Sequence, residues 1–270
     1  MPATFAHPAA VLPFRYFGRR WLNFAALVIG SITPDFGYYI RRFDLATYAH
    51  SFAGTIVLCL PSGLVAFAIF RLLRAPLCYA LPEPHRSALT PLAKARLPFT
   101  TRTLVVLCLS VLVGAWTHTI ADSCTHKTGW TVQRLPWLQT TLFQIGAADF
   151  PVHQLLQHAG STLGSLALVA AYVCWLRRQP RQVQEQPDAL RDRTRILLIV
   201  LIMLIAVAIA LPLGWWTTTA FTGYIRLRAS SFQAAIYATQ VFIPLFAATA
   251  VLVYRCRHRS RDAATLKGTP

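Results

Sequence analysis

The stretch Ile196–Trp216, ILLIVLIMLIAVAIALPLGWW, decides the fold. It runs without an Asp, Glu, Lys or Arg, and an apolar run of this length is what an α-helix needs to cross a hydrocarbon core about 30 Å thick. Four further runs repeat the pattern: Phe52–Phe70, Leu104–Thr117, Leu163–Leu176 and Ile236–Tyr254. Lipid leaves backbone groups no water to bond, and no alternating strands of a barrel are present, so the fold class is all-α: a polytopic helical membrane protein with five clear transmembrane helices. A shorter segment, Leu22–Thr33 (LNFAALVIGSIT), ends at Thr33-Pro34-Asp35 and is a sixth span, a re-entrant helix or a buried one.

Composition agrees. Of 270 residues, 55% are hydrophobic and 13% charged, far from a soluble domain. The net charge of +17 is laid out by topology. Arg71–Arg102 holds six Lys/Arg, Arg177–Arg195 six and the tail from Arg255 five, whereas Ser123–Gly160 and Thr217–Ala235 hold two each. Basic stretches alternate with crossings, the positive-inside pattern, which predicts a multi-pass protein of the inner (plasma) membrane with a cytoplasmic C-terminus. With no aromatic-interleaved basic patch, nucleic acid is not an expected partner; membrane lipids are.

Arg19-Arg20 followed by WLNFAALVIG has the outline of a signal peptide but leads into Pro-Asp instead of a small-residue cleavage site, so the segment is expected to stay. Six cysteines form no CxxC motif or disulfide framework. Residues 1–270 then make a single membrane domain: a core over 1–178, a polar cytoplasmic linker at 179–195, and two further helices with a basic tail over 196–270.

The chemistry gathers where a helix should end, in Gly114–His126, GAWTHTIADSCTH. Positions four apart share a helix face, so His118 and Asp122 converge on one point, as the two histidines of HExxH do. His126, two turns from His118 and roughly 12 Å along the axis, is too far to share an ion unless the helix breaks first, and is expected to line the mouth. Further ligands must come from elsewhere, and the candidates are His50 in YAHSF, Asp35 in TPDF and His7 in FAHPAA. Such a set suits a divalent ion, zinc above all, with an open position for water. Taken singly, each of these residues also fits a helix cap or a snorkelling polar group. His153 and His158 are expected to face water at a helix start; His85 and His258 fall in basic loops and receive no role.

His7 poses a topological problem. If Leu22–Thr33 spans, His7 lies on the opposite side from Asp35, His50, His118 and Asp122. If the segment is re-entrant, His7 joins them, and Arg15, Arg19 and Arg20 need water or an interface near the turn.

The motifs MPATFAHPAAVLPF, ALVIGSITPDFGYY, AHSFAGT, GAWTHTIADSCTHKTGW and LLQHAGSTLG resemble, in order and over roughly the first two thirds of the chain, a bacterial integral-membrane family of unknown function, domain of unknown function 4184. More distantly, the order of an N-terminal His, a Pro-Asp, a His-Ser starting a helix and a His-x-x-x-Asp is similar to the YdjM-type membrane-bound metal-dependent hydrolases, themselves compared with zinc-dependent phospholipase C. That second resemblance implies His7, Asp35, His50, His118 and Asp122 as ligands. RRFDLATYA stands before His50 where those hydrolases carry a His-Arg pair, so a second metal is not implied.

Three functional classes fit these residues. A metal-dependent hydrolase of a lipid-like ester or phosphoester would use Asp35 or Asp122 as base, with the aromatic segment Gly129–Phe150 as a lid or an interfacial anchor. A transporter ordinarily carries an ionisable residue deep in a span, and the five clear runs have no Asp, Glu, Lys or Arg. In the third class the cluster holds helix ends together without catalysis, with or without a structural ion.

Overall fold

The computed structural model describes residues 4–18, 21–146, 148–180 and 190–267, with side chains at all of these except 17 and those beyond 257. Among them, five helices are long and apolar enough to cross a membrane: Phe52–Ala80, Thr101–Arg134, Val152–Arg177, Asp192–Trp216 and Gly223–Arg257. The short helix Phe24–Gly30 is α1, Leu60–Ala80 is α2, Thr101–Thr125 is α3, Val152–Arg177 is α4, Asp192–Trp216 is α5 and Gly223–Lys267 is α6.

The apolar run at 196–216 becomes α5, and its two faces differ. Leu197, Leu201, Leu204 and Leu211 are exposed, whereas Ala206, Ala210 and Gly214 are buried at steps of four. Small residues at that spacing let helices approach closely where lipid supplies no hydrophobic drive. A Cβ at Gly214 would lie 2.7 Å from the Ser230 carbonyl oxygen of α6, so the two helices form a tight hairpin. This hairpin attaches to the rest through α6 packed on α2, and through Arg195, whose Nε donates to the Tyr79 carbonyl at 3.1 Å.

Helix α1 lies between α2 and α3. It starts at Asn23, whose side chain accepts from the Ala26 N–H as an N-cap and whose own N–H donates to Ser110 Oγ at 2.8 Å. It ends beside His118, whose Nδ1 meets the Ser31 carbonyl at 2.8 Å. Thr4, far earlier in the chain, is back at this same end, its hydroxyl 2.5 Å from Asp35 Oδ2. Residues 4–18 and 21–35 therefore enter and leave at one end of α3; Asn23 lies about 12 Å inward, the rise from His118 to Ser110, and the turn lies deeper still, beside Arg178 and Gln179 past the other end of α4. Of the alternatives for Leu22–Thr33, the re-entrant one holds. The descending limb is a 3-10 helix, Thr4–Val11, laid against α4. Arg15, near the turn, lies over the Phe24 ring and borders a mostly apolar cavity of about 940 Å³ that Arg178 and Gln179 also line. Arg19 and Arg20 lie outside the described residues, as do 181–189 of the linker.

Between α3 and α4 the aromatic segment folds into a helix Trp130–Arg134, a 3-10 turn Pro136–Gln139 and an antiparallel hairpin, β1 (Thr141–Ile145) with β2 (Ala148–Pro151). The hairpin was not expected from the sequence. Gly146, at φ +60°, makes its turn. Helix α4 begins eleven residues before the apolar run at Leu163, and α6 extends past Ile236–Tyr254 at both ends.

Candidate metal centre

Three structural devices deliver the ligands. Helix α3 carries His118 and Asp122 on one buried face, as their spacing requires. His50 closes the short helix Phe43–Ala49, and Ser51 then caps the next helix, accepting from the Gly54 N–H at 3.0 Å. A π-helical turn, Thr55–Cys59, follows at once, a local irregularity that helices often carry beside functional sites. Asp35, in the 3-10 turn Thr33–Asp35 that ends the re-entrant segment, is 1% exposed.

The geometry is close. His50 Nε2 and His118 Nε2 stand 3.2 Å apart. Asp122 Oδ2 is 3.3 Å from each, and Asp35 Oδ1 is 3.7 Å from His50 Nε2 and 3.6 Å from His118 Nε2. The ligand atoms of the four residues all lie within 4.8 Å of one another. A tetrahedron around an ion held at zinc-like bond lengths has edges of about 3.3–3.5 Å, near most of these separations.

The hydrogen-bond partners fix the hydrogens at Nδ1. His50 Nδ1 is 2.7 Å from the Ala46 carbonyl oxygen and His118 Nδ1 is 2.8 Å from that of Ser31. A carbonyl only accepts, so both Nδ1 atoms carry hydrogen, and a ring that is neutral turns an unprotonated Nε2 inward. Four acceptors thus face one another. Asp35 Oδ1 and Asp122 Oδ1 are moreover buried without a hydrogen-bond partner. Positive charge has to sit among these atoms, a metal ion or, without one, protons on the imidazoles. The donor set and its two orphaned oxygens fit a divalent cation.

His7 stacks on His118 with ring centroids 3.6 Å apart, and its Nε2 lies 3.5 Å from Asp122 Oδ1, the oxygen turned away from the other histidines. It stands at the rim of the four-residue group. Burial, and then the neighbouring His118, hold the His7 imidazole down to about 4, so it stays neutral and able to ligate. Burial alone would raise the Asp35 carboxyl, but the His118 ring and the Thr4 hydroxyl hold it below its ordinary value. Burial and the two carboxylates push the Tyr38 hydroxyl up to about 12, leaving it a donor beside His50, 6.4 Å away between ring centroids.

Two expectations need correction. Helix α3 does break at His126, which is extended (φ −108°, ψ 140°), and its ring folds back so that Nδ1 is 3.4 Å from Asp122 Oδ2. The Gln157 amide Nε2 is 3.0 Å from His126 Nε2 and donates to it, so Nδ1 carries the hydrogen and donates it to the Asp122 backbone carbonyl, 3.3 Å away, with the carboxylate beside it. His153 does not face water: it is buried, with Nδ1 3.0 Å from the Leu138 carbonyl. His158 is exposed and stacks on Phe150. His85 stacks on Tyr172, and the side chain of His258 is not among those described. Thr4, Ser31 and Tyr38 escaped the sequence reading. Tyr38 follows Asp35 by three residues, the one local signal, and a backbone carbonyl such as Ser31's leaves none.

Membrane-length helices around a buried His/Asp cluster able to hold a metal ion define a helical membrane protein with a candidate metal centre. The chain belongs to the family described as Domain of unknown function (DUF4184), whose model matches residues 1–256 and so takes in α5 and most of α6, beyond the first two thirds. No curated protein and no solved structure matches the chain.

Proposed function

We propose that the cluster binds zinc and that the protein is a membrane-bound metal-dependent hydrolase of a lipid-like ester or phosphoester. One observation carries the metal: two imidazoles with Nδ1 committed to backbone carbonyls and inward-facing Nε2 atoms 3.2 Å apart, flanked by two carboxylates. Asp35, His50, His118 and Asp122 would hold the ion, and His7, against Asp122 Oδ1, would stand by as a further ligand. When bound, such an ion lowers the pKa of a water and polarises a phosphoryl or acyl oxygen. The chain's own groups complete the chemistry. Asp122 Oδ1, free of hydrogen bonds, is placed to accept a water's proton, and the His126 ring lies beside the same carboxylate, 3.4 Å from Oδ2. Asp35 is the poorer base, since Thr4 occupies its second oxygen.

The remoter similarity to YdjM-type hydrolases supports this assignment. The alternation of Lys/Arg supports placing the site on the outer face of a bacterial inner membrane, with the C-terminus in the cytoplasm. The aromatic segment supports a lipid-like substrate: Trp130, Trp137 and Phe143, in the segment that follows α3, are 64%, 57% and 47% exposed, as interfacial anchors are. Metal analysis of the purified protein, followed by a lipid-hydrolysis screen of the zinc-loaded form, tests the proposal. Turnover lost in His118→Ala and retained in His85→Ala supports it; no turnover, or turnover indifferent to His118→Ala, overturns the hydrolase assignment.

A further inference from the structure

Next to the candidate metal centre, behind His126, lies a second polar feature that ligation does not explain. A cavity of about 500 Å³ opens between the end of α3, the β1–β2 hairpin, the start of α4 and α6. Lys127 and Arg228 bring two cations to its lining from distant parts of the chain, against one carboxylate, Asp149. Gln154 and Gln157 line it from α4, both 6% exposed.

Gln154 is the informative residue. Its Nε2 is buried and has no hydrogen-bond partner, although it borders an open cavity. A buried amide donor left unmatched is destabilising, so a helix that places one there without an acceptor carries a penalty that a bound acceptor would remove. An amide N–H beside a Lys and an Arg is the donor set that recognises an oxyanion, and the delocalised charge of a phosphate group suits two cations approaching from different sides. Asp149 keeps its Oδ1 2.7 Å from the Gln144 amide, and its charge steers an anion toward the Lys127 and Arg228 side.

We propose that this cavity binds the phosphate of an amphiphile's headgroup. His126 forms the partition: its ring touches Asp122 on one side and Gln157, a lining residue, on the other, so a phosphate held here stands one imidazole away from the candidate metal ligands. The hairpin that walls the cavity exposes Leu142, Phe143 and Ile145, which suits a molecule arriving with its apolar part in the membrane and its phosphate at headgroup depth. The inference rests on the proposed hydrolase for its place in a reaction, but not for binding.

Titration calorimetry on the purified full chain in neutral detergent tests it, with dihexanoyl phosphatidic acid, dihexanoylglycerol and inorganic phosphate as probes and metal content measured for every variant. The phosphatidic lipid should bind, and the diacylglycerol should bind at least about tenfold more weakly. Lys127→Ala, Arg228→Ala and the uncharged Gln154→Leu should each weaken the phosphatidic lipid by about tenfold with metal content unchanged. Inorganic phosphate that competes shows that the cavity also accepts the free anion; failure to compete shows that it requires lipid-borne phosphate. Equal binding of the two lipids overturns the inference, as does unchanged affinity in all three variants, or loss of binding in His118→Ala alone, which would put the phosphate on the metal. Binding through Lys127 and Arg228 by a protein that hydrolyses nothing would sink the hydrolase and leave this site standing.

Discussion

Gly30 and Gly114 press α1 and α3 into backbone contact: a Cβ at Gly30 would lie 2.2 Å from the Val111 carbonyl oxygen, and one at Gly114 2.3 Å from that of Leu27. The approach has a chemical consequence, because it places the Ser31 carbonyl against His118 Nδ1 and so turns His118 Nε2 toward Asp35 and Asp122.

Gly114→Val should therefore damage the centre without touching a ligand. Backbone cannot yield as a flexible side chain can, so overpacking here should cost at least the usual 1–3 kcal/mol, roughly, and lower both melting temperature and bound zinc. Gly160, with nothing within 4 Å of its added Cβ, is the control: Gly160→Ala should leave zinc unchanged and stabilise α4 by about 0.5–1 kcal/mol. Zinc content of the two purified variants decides it, and a Gly114→Val protein that binds zinc normally would contradict the coupling.

Removal of single ligands should separate the four central residues from His7. His50→Ala, His118→Ala and Asp122→Ala each remove one of the four central ligands and should lower zinc affinity by about 100-fold or more, as measured by competition with a chromogenic chelator. His7→Ala should lose less, since His7 approaches only the far oxygen of Asp122. Equal losses across all four variants would make His7 a full member of the set.

Much of this centre was legible, and the limits were physical. His118 and Asp122 announced themselves because helical periodicity maps spacing onto direction. Asp35, His50 and His7 could be gathered as candidates from their composition, but only the chain's reversal at the re-entrant turn shows that His7 shares their end of the bundle, and no local residue pattern encodes that depth. The five spans were clear as apolar runs, whereas their ends were not. Helix α4 starts at Val152 because His153, Gln154 and Gln157 are helical although polar, their side chains turned into the protein. The hairpin at 141–151 was lost in an aromatic segment whose strand residues are mostly exposed, leaving no alternation to read.

Acid should weaken the structure in a window set by His7. Its pKa is lowered from the ordinary 6.5 to about 4, so between those values the unfolded chain binds the proton and the folded chain does not. Stability from this group is complete above 6.5 and falls as pH drops toward 4. Zinc affinity should fall in the same direction, because protons compete for the bare Nε2 atoms. Melting temperatures of the chelator-treated protein across this range, compared with His7→Phe, provide the check: the substitution should flatten the curve, and an unaltered curve would assign the acid sensitivity elsewhere.

Orientation is the prediction on which the site's access to substrate depends. Cys124, partly buried at the end of α3 beside the His/Asp cluster, and Cys256, exposed near the far end of α6, report on opposite ends of the bundle. The clustering of Lys/Arg near the α6 end predicts that this end stays in the cytoplasm. Single-cysteine proteins retaining one or the other, treated in intact cells with a membrane-impermeant maleimide, should label at Cys124 and not at Cys256. Opening the cells should then expose Cys256. Since Cys124 is only partly accessible, a cysteine introduced at Thr128 repeats the first arm and guards against a false negative. The reverse pattern, Cys256 labelled in intact cells while both site-end positions are shielded, would move the whole centre to the cytoplasmic face and change which leaflet's lipids could reach it.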